Sequence, residues 1–362
     1  MLVSSRRRSV IRFTAILIGV ALGLGLAELS LRIWASHSRG EKTPDLWTAE
    51  LAPPPAVEGD CRSQERQAVL IDLVRPSEHQ DLIYELRPEV RTCFQGTEVE
   101  SNREGLRSDG APVSEKSDEI YRILLLGDSH AFGWGVEWQD TLGEQLERLL
   151  TPTKEGRVVE VLNAGVPGYN TSQEAALLEH RGLDLEPDCI LVLFLGNDLG
   201  LPTFLLEPEQ PLDPRSSLLL ALVHGLREQK RPFQVADRGL TDFVSASSRE
   251  RVPGPYRHMV GFGGYRRALR RIAKLAERDG IQVVNAADYR SHGGVEKRRE
   301  GLSKLMETLG IVEIDLEWPT GNELRISRED PHFNAAGQAE YARRLVRGLE
   351  EAGACGAASP GQ

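Results

Sequence analysis

The chain has 362 residues, 40% hydrophobic and 27% charged, enough for one sizeable folded domain with extensions. A formal net charge of -10 argues against a general nucleic-acid binder, because phosphate contacts need clustered Lys and Arg on one surface. The four cysteines form no CxxC or Cys/His cluster, so neither a metal nor a cofactor is expected.

Arg6, Arg7, Arg8 and Arg12 precede an uncharged run from Phe13 to Ala27, followed by Glu28, Arg32 and Trp34. Counted on to Trp34, the stretch reaches the ~20 residues of a membrane span. The basic cluster puts the N-terminus in the cytoplasm and everything after the span outside it. Residues 1–35 are therefore read as a signal anchor, with the domain on the extracytoplasmic side of the inner membrane. A cleaved signal peptide ending at Gly25-Leu26-Ala27, which would release a secreted protein, is the rival reading.

Residues 36–119 read as a linker, stiffened by Pro53-Pro54-Pro55 and running to about Ser63, followed by a small β-rich extension. Its strand-like pieces are Leu82–Tyr84, Val90–Phe94 and Glu98–Val99. Cys61 and Cys93 flank this segment and are candidates for a disulfide if it is exported; Cys189, in an apolar run, reads as a small buried residue.

From residue 120 to 352 the chain alternates strand and helix. Strands are expected at Ile123–Leu126, Val158–Leu162, Cys189–Leu195, Ile281–Asn285 and Ile311–Leu316. Helices are expected at Thr141–Leu150, Ser172–Arg181, Gly264–Arg278, Val295–Leu309 and Ala335–Leu349. This rhythm predicts an α/β fold with a doubly wound, mainly parallel sheet, in which ligands bind at the carboxyl ends of strands. The Pro-rich stretch 199–263 interrupts it, with an apolar helical piece at Ser216–Leu226; it reads equally as a lid or as a surface elaboration. The last residues, 353–362, read as a disordered tail.

Polar residues gather at these strand ends. The first strand runs into Gly127-Asp128-Ser129-His130, placing a serine hydroxyl on a turn at the sheet's rim, where backbone N–H groups can hold negative charge. The second runs into Asn163-Ala164-Gly165-Val166-Pro167-Gly168, the third into Gly196-Asn197-Asp198. Arg328-Glu329-Asp330-Pro331-His332-Phe333-Asn334 precedes the last helix and sets a histidine beside two carboxylates. No glycine-rich phosphate loop follows the first strand, which weighs against a nucleotide binder.

These four segments, in this order, resemble the blocks of the SGNH (GDSL-type) hydrolase family over residues 121–349. The resemblance implies a flavodoxin-like three-layer α/β/α fold and an enzyme that cleaves ester bonds. It makes Ser129 the nucleophile and His332 its base, with Ser129, Gly165 and Asn197 forming the oxyanion hole. The acid three residues before the histidine would be Glu329; the preferred acid is Asp330, two residues before, as in some exported bacterial relatives. The implied substrate is an acylated small molecule, lipid or glycan. An O-acyltransferase acting on cell-envelope glycans, and a non-catalytic binding module on the same fold, are the alternatives.

Overall fold

Six consecutive apolar residues from Cys189 to Phe194 form strand β8, every one of them buried, as a parallel strand covered on both faces requires. The computed structural model describes residues 16, 18–20, 22–30, 53–206, 233–241, 244–245, 247–289 and 296–358. Four further strands run parallel to β8: β6 (Ile120–Leu126), β7 (Val158–Asn163), β11 (Gln282–Ala287) and β12 (Val312–Asp315). Their spatial order is β12-β11-β8-β6-β7, the doubly wound arrangement in which the strand order reverses at β6.

Alternation along these strands divides the core in two. Ile123, Leu125, Leu191, Leu193, Val284 and Ala286 face one side, where they meet helices α1 (Leu142–Leu150) and α5 (Ala335–Ala352). α1 presents Leu142, Leu146 and Leu150, spaced i, i+4 and i+8, and Thr141 caps its first turn. The Asn334 side chain caps α5 by accepting from the Gly337 N–H. On the other side lie α2 (Thr171–Leu177), α3 (Gly261–Asp279) and α4 (Arg299–Leu309); the α3 residue Tyr265 packs its ring 4.3 Å from that of Phe194.

Several expectations need correction. The β-rich extension does not stand in front of the domain. Its strands β3 (Arg91–Phe94), β4 (Thr97–Ser101) and β5 (Arg107–Ser108) continue the main sheet antiparallel beyond β7, through the single pair Arg107↔Asn163. A boundary at residues 119/120 would cut this sheet. Only the hairpin of β1 (Val74–Pro76) and β2 (Tyr84–Leu86) stays separate from it. The end of the expected linker is also packed, since Cys61 is bonded to Cys93 and the Pro55 carbonyl accepts from Thr92 Oγ1 at 2.6 Å. Cys189 is not merely a small core residue, because it is bonded to Cys355. That bond orders residues 353–358, with Ala354, Cys355 and Ala357 buried, where a disordered tail was expected.

Within the insertion, β9 (Phe204–Leu206) pairs antiparallel with β10 (Phe233–Val235). The expected helix at 216–226 lies outside the described residues, as do most of the N-terminal 52. The described positions between 16 and 30 are helical, and no helix among the described residues is long and apolar enough to cross a membrane.

Candidate active site

Strand β6 stops at Leu126, and Gly127-Asp128 turns the chain into a single helical turn, Ser129–Phe132. The Asp128 carboxylate caps this turn by accepting from the His130 N–H at 2.9 Å. Gly133, at φ +84°, ends it, because a Cβ there would lie 2.5 Å from Thr141 Cγ2. Ser129 thus sits at the carboxyl end of the strand where the sheet order reverses, its residue surface almost wholly buried.

The loop before α5 comes to the same place. His332 Nε2 lies 2.8 Å from Ser129 Oγ, and His332 Nδ1 lies 2.6 Å from Asp330 Oδ1. Asp330 Oδ1 also accepts from the His332 backbone N–H at 3.0 Å, and Oδ2 from the Trp134 indole N–H at 3.1 Å. Burial alone would raise the Asp330 carboxyl; the hydrogen bonds from His332 and Trp134 outweigh it and hold the group below the usual carboxylate range. Glu329 is exposed and turned toward Ser327, whose hydroxyl donates to it at 3.1 Å. Of the two carboxylates beside the histidine, only Asp330 reaches the ring.

Asn197 stands in the first turn after β8 and gives one side-chain N–H to Asp128 Oδ2 at 2.6 Å, leaving the amide's second N–H for another acceptor. Burial pushes the Asp128 carboxyl up, against the hydrogen bonds from Asn197 and His130.

Gly165 behaves differently from expectation. Its N–H donates to Asn163 Oδ1 at 3.0 Å, while Asn163 Nδ2 donates to the Ala131 carbonyl at 2.7 Å. A Cβ on Gly165 would meet Phe132 N at 2.4 Å, so the glycine lets this loop lie directly on the serine's turn. Its N–H is already engaged. Gly168, three residues on, has φ +78° and would drive a Cβ to 2.0 Å from Thr203 Oγ1. Among the described residues its N–H has no acceptor.

His130, beside the serine in sequence, is buried against Trp318, with ring centroids 4.5 Å apart, and its Nδ1 has no partner among the described residues. Burial first, then His332 and Arg325 nearby, keep it well below the usual histidine value, so it is neutral. Two contacts at the site escaped the sequence reading, the Trp134 indole on Asp330 and the Asn163 side chain on the Gly165 N–H, and neither carries a motif or periodic signal. No group of three or more His, Cys, Asp or Glu among the described residues could hold a metal ion.

A serine hydroxyl on an imidazole that is oriented by a carboxylate is the arrangement that activates an alcohol as a nucleophile. The GDSL-like lipase/acylhydrolase family model matches residues 125–340, a span that takes in all of these groups. A comparison with curated proteins gives no match. Among solved structures, the chain is similar to a family 3 carbohydrate esterase from Clostridium thermocellum at 15% identity and TM-score 0.39, covering 63% of this chain and 94% of that one. It is similar also to a lipase/acylhydrolase from Enterococcus faecalis at 15% identity and TM-score 0.37, covering 63% and 95%. With the family model spanning more than half of its length, the chain belongs to the GDSL-like lipase/acylhydrolase family and is a hydrolase of ester bonds.

Proposed function

We propose that Ser129, His332 and Asp330 are the catalytic triad of this esterase. The reading rests on the continuous line from Ser129 Oγ through the His332 ring to Asp330 Oδ1, at 2.8 and 2.6 Å. His332 Nε2 takes the Ser129 proton as Oγ attacks the acyl carbonyl, then returns it to the departing alcohol oxygen. Water, deprotonated by the same nitrogen, releases the acid and restores the serine. Asp330 fixes the tautomer that leaves Nε2 free to accept, and stabilises the imidazolium. The oxyanion is held by the Ser129 N–H, the second side-chain N–H of Asn197 and the N–H of Gly168. Gly168 replaces Gly165 here because the Gly165 N–H is already given to Asn163.

The substrate is an O-acylated small molecule, lipid or glycan, met outside the cytoplasm. Two observations support an exported, membrane-tethered enzyme. All four cysteines pair as disulfides, which persist in oxidising compartments. The helical residues at 16–30 expose Ile16, Ile18, Val20, Leu22, Leu24, Leu26 and Leu29, more than half of each surface, which fits an apolar surround better than water.

The test is covalent labelling of the full-length, detergent-solubilised protein with a fluorophosphonate, together with hydrolysis of short p-nitrophenyl esters. Ser129→Ala is expected to abolish both, and Asn197→Ala to lower the hydrolysis rate by roughly 10²–10³-fold. Labelling that persists in Ser129→Ala would refute the assignment of the nucleophile.

A further inference from the structure

One side chain outside the triad touches two of its members at once. Trp134 follows the glycine that ends the serine's turn, and its indole lies over the His332 ring, centroids 4.8 Å apart and planes 15° from parallel. Its Nε1–H donates to Asp330 Oδ2 at 3.1 Å, on the oxygen that does not face the imidazole. Ring and N–H therefore act on the two partners of one hydrogen bond, His332 Nδ1 to Asp330 Oδ1.

The indole has support of its own. Phe94, the last residue of β3 and fully buried, meets it edge-on at 4.7 Å and 81°. Phe94 in turn packs edge-on against Phe132 at 6.5 Å and follows Cys93, which is bonded to Cys61. The aromatic contact thus runs from the antiparallel half of the sheet to the acid–base pair, across residues far apart in sequence.

We propose that Trp134, braced by Phe94, is a positioning residue for the His332–Asp330 pair. This rests on the reading of Ser129, His332 and Asp330 as the reacting line. Two physical effects are at work. The indole N–H anchors Oδ2, so the carboxylate cannot rotate Oδ1 away from the ring. The indole face attracts an imidazolium more strongly than a neutral imidazole. That attraction grows as His332 takes the serine proton, so it favours the transition state over the resting enzyme. A residue acting only in this way changes kcat and leaves KM alone.

Trp134→Phe keeps a stacked ring and removes the N–H; Trp134→Leu removes both. The full-length protein in detergent would be assayed for kcat and KM on p-nitrophenyl acetate. In parallel, the low-field proton resonance of the His332 Nδ1–H would be recorded, assigned by its loss in Asp330→Asn. Trp134→Phe is expected to lower kcat about tenfold, the scale of one hydrogen bond to a charged group, with KM unchanged. Trp134→Leu is expected to lower kcat about a hundredfold. In both variants the low-field resonance should shift or broaden. Full kcat in both variants would overturn the proposal. So would a fall in kcat with the resonance unchanged, which would make Trp134 a packing residue only. If Trp134→Leu does not fold, Trp134→Phe alone decides, since it preserves an aromatic ring in the site. The resonance needs no turnover, so the proposal stays testable even if Ser129→Ala keeps its activity and the triad assignment fails.

Discussion

The two halves of the eight-stranded sheet divide the work unequally. The parallel half, β12-β11-β8-β6-β7, is apolar through its central strand and presents polar residues where strands end: Ser129 after β6 and Asn197 after β8. The antiparallel half, β5-β4-β3, is built from short strands, β4 alternating buried and half-buried residues, and supplies none of the proposed triad or oxyanion groups. It supplies support. Phe94 backs the indole beside His332, and the buried guanidinium of Arg107 lies 5.6 Å from the ring centres of both Phe132 and Trp138. Arg107 donates to the carbonyls of Glu98, Glu100 and Ser108, and burial lowers its guanidinium to about 10. The contrast teaches that an added sheet edge can act on chemistry through side chains alone, with one ladder pair joining it to the parallel strands.

The contrast breaks most visibly at the acid. Asp330→Asn should lower kcat/KM by ~10⁴-fold, because an amide there favours the tautomer that blocks Nε2. Glu329→Gln should leave the rate unchanged, since that carboxylate faces Ser327 and solvent. Equal losses in ester-hydrolysis kinetics would show that the acid is shared.

The disulfides sharpen the comparison next, one in each half. Cys189–Cys355 spans 166 residues and Cys61–Cys93 spans 32, so the longer closure constrains the unfolded chain more. On loop length, replacing the first pair by alanine should cost about 5 kcal/mol and the second about 4 kcal/mol, read from denaturant unfolding under oxidising conditions. A larger loss from the Cys61–Cys93 pair would mean that the antiparallel half depends on its staple beyond chain entropy.

The smallest effect lies in the parallel half's interior. Glu174 and Asp198 are buried side chains held well above the usual carboxyl range, first by burial and then by repulsion, from Asp198 on Glu174 and from Asp128 on Asp198. A carboxyl whose folded value is raised binds its proton more tightly when folded. Stability is then full below the ordinary carboxylate value near 4 and declines as pH rises toward the folded value. Glu174→Gln should therefore stabilise the fold increasingly from pH 4 to pH 7, measured as the difference in melting temperature from wild type. A difference that stays flat with pH would show that Glu174 titrates as an ordinary carboxylate.

What the sequence made legible follows the same division. The apolar runs Ile123–Leu126 and Cys189–Leu195 announce buried parallel strands, and a polar residue after such a run has nowhere to go but the sheet's rim. Asp330 and Glu329 both lie within three positions of His332, so proximity leaves two acids open. The resemblance favours Asp330, and only the folded loop shows it on the ring with Glu329 turned to Ser327. The choice between Gly165 and Gly168 could not be read, because only the Asn163 side chain, folded back on its own loop, decides which N–H is free. Trp134 carries no periodic signal; its partners lie 196 residues downstream and, through Phe94, in another strand. The join between the sheet halves rests on one residue pair, too little for any pattern of alternation to reveal.

The Cys189–Cys355 bond encloses Asn197, Asp330 and His332 in one covalent loop and leaves Ser129 outside it. A protease that cuts the backbone once between those cysteines yields two polypeptides still joined through sulfur. For a cut before Asp330, the piece bearing His332, the proposed base, then cannot diffuse from the piece bearing Ser129, the proposed nucleophile. Such a nicked enzyme migrates as one species until a reductant is added, so its working lifetime is set by reduction as well as by proteolysis.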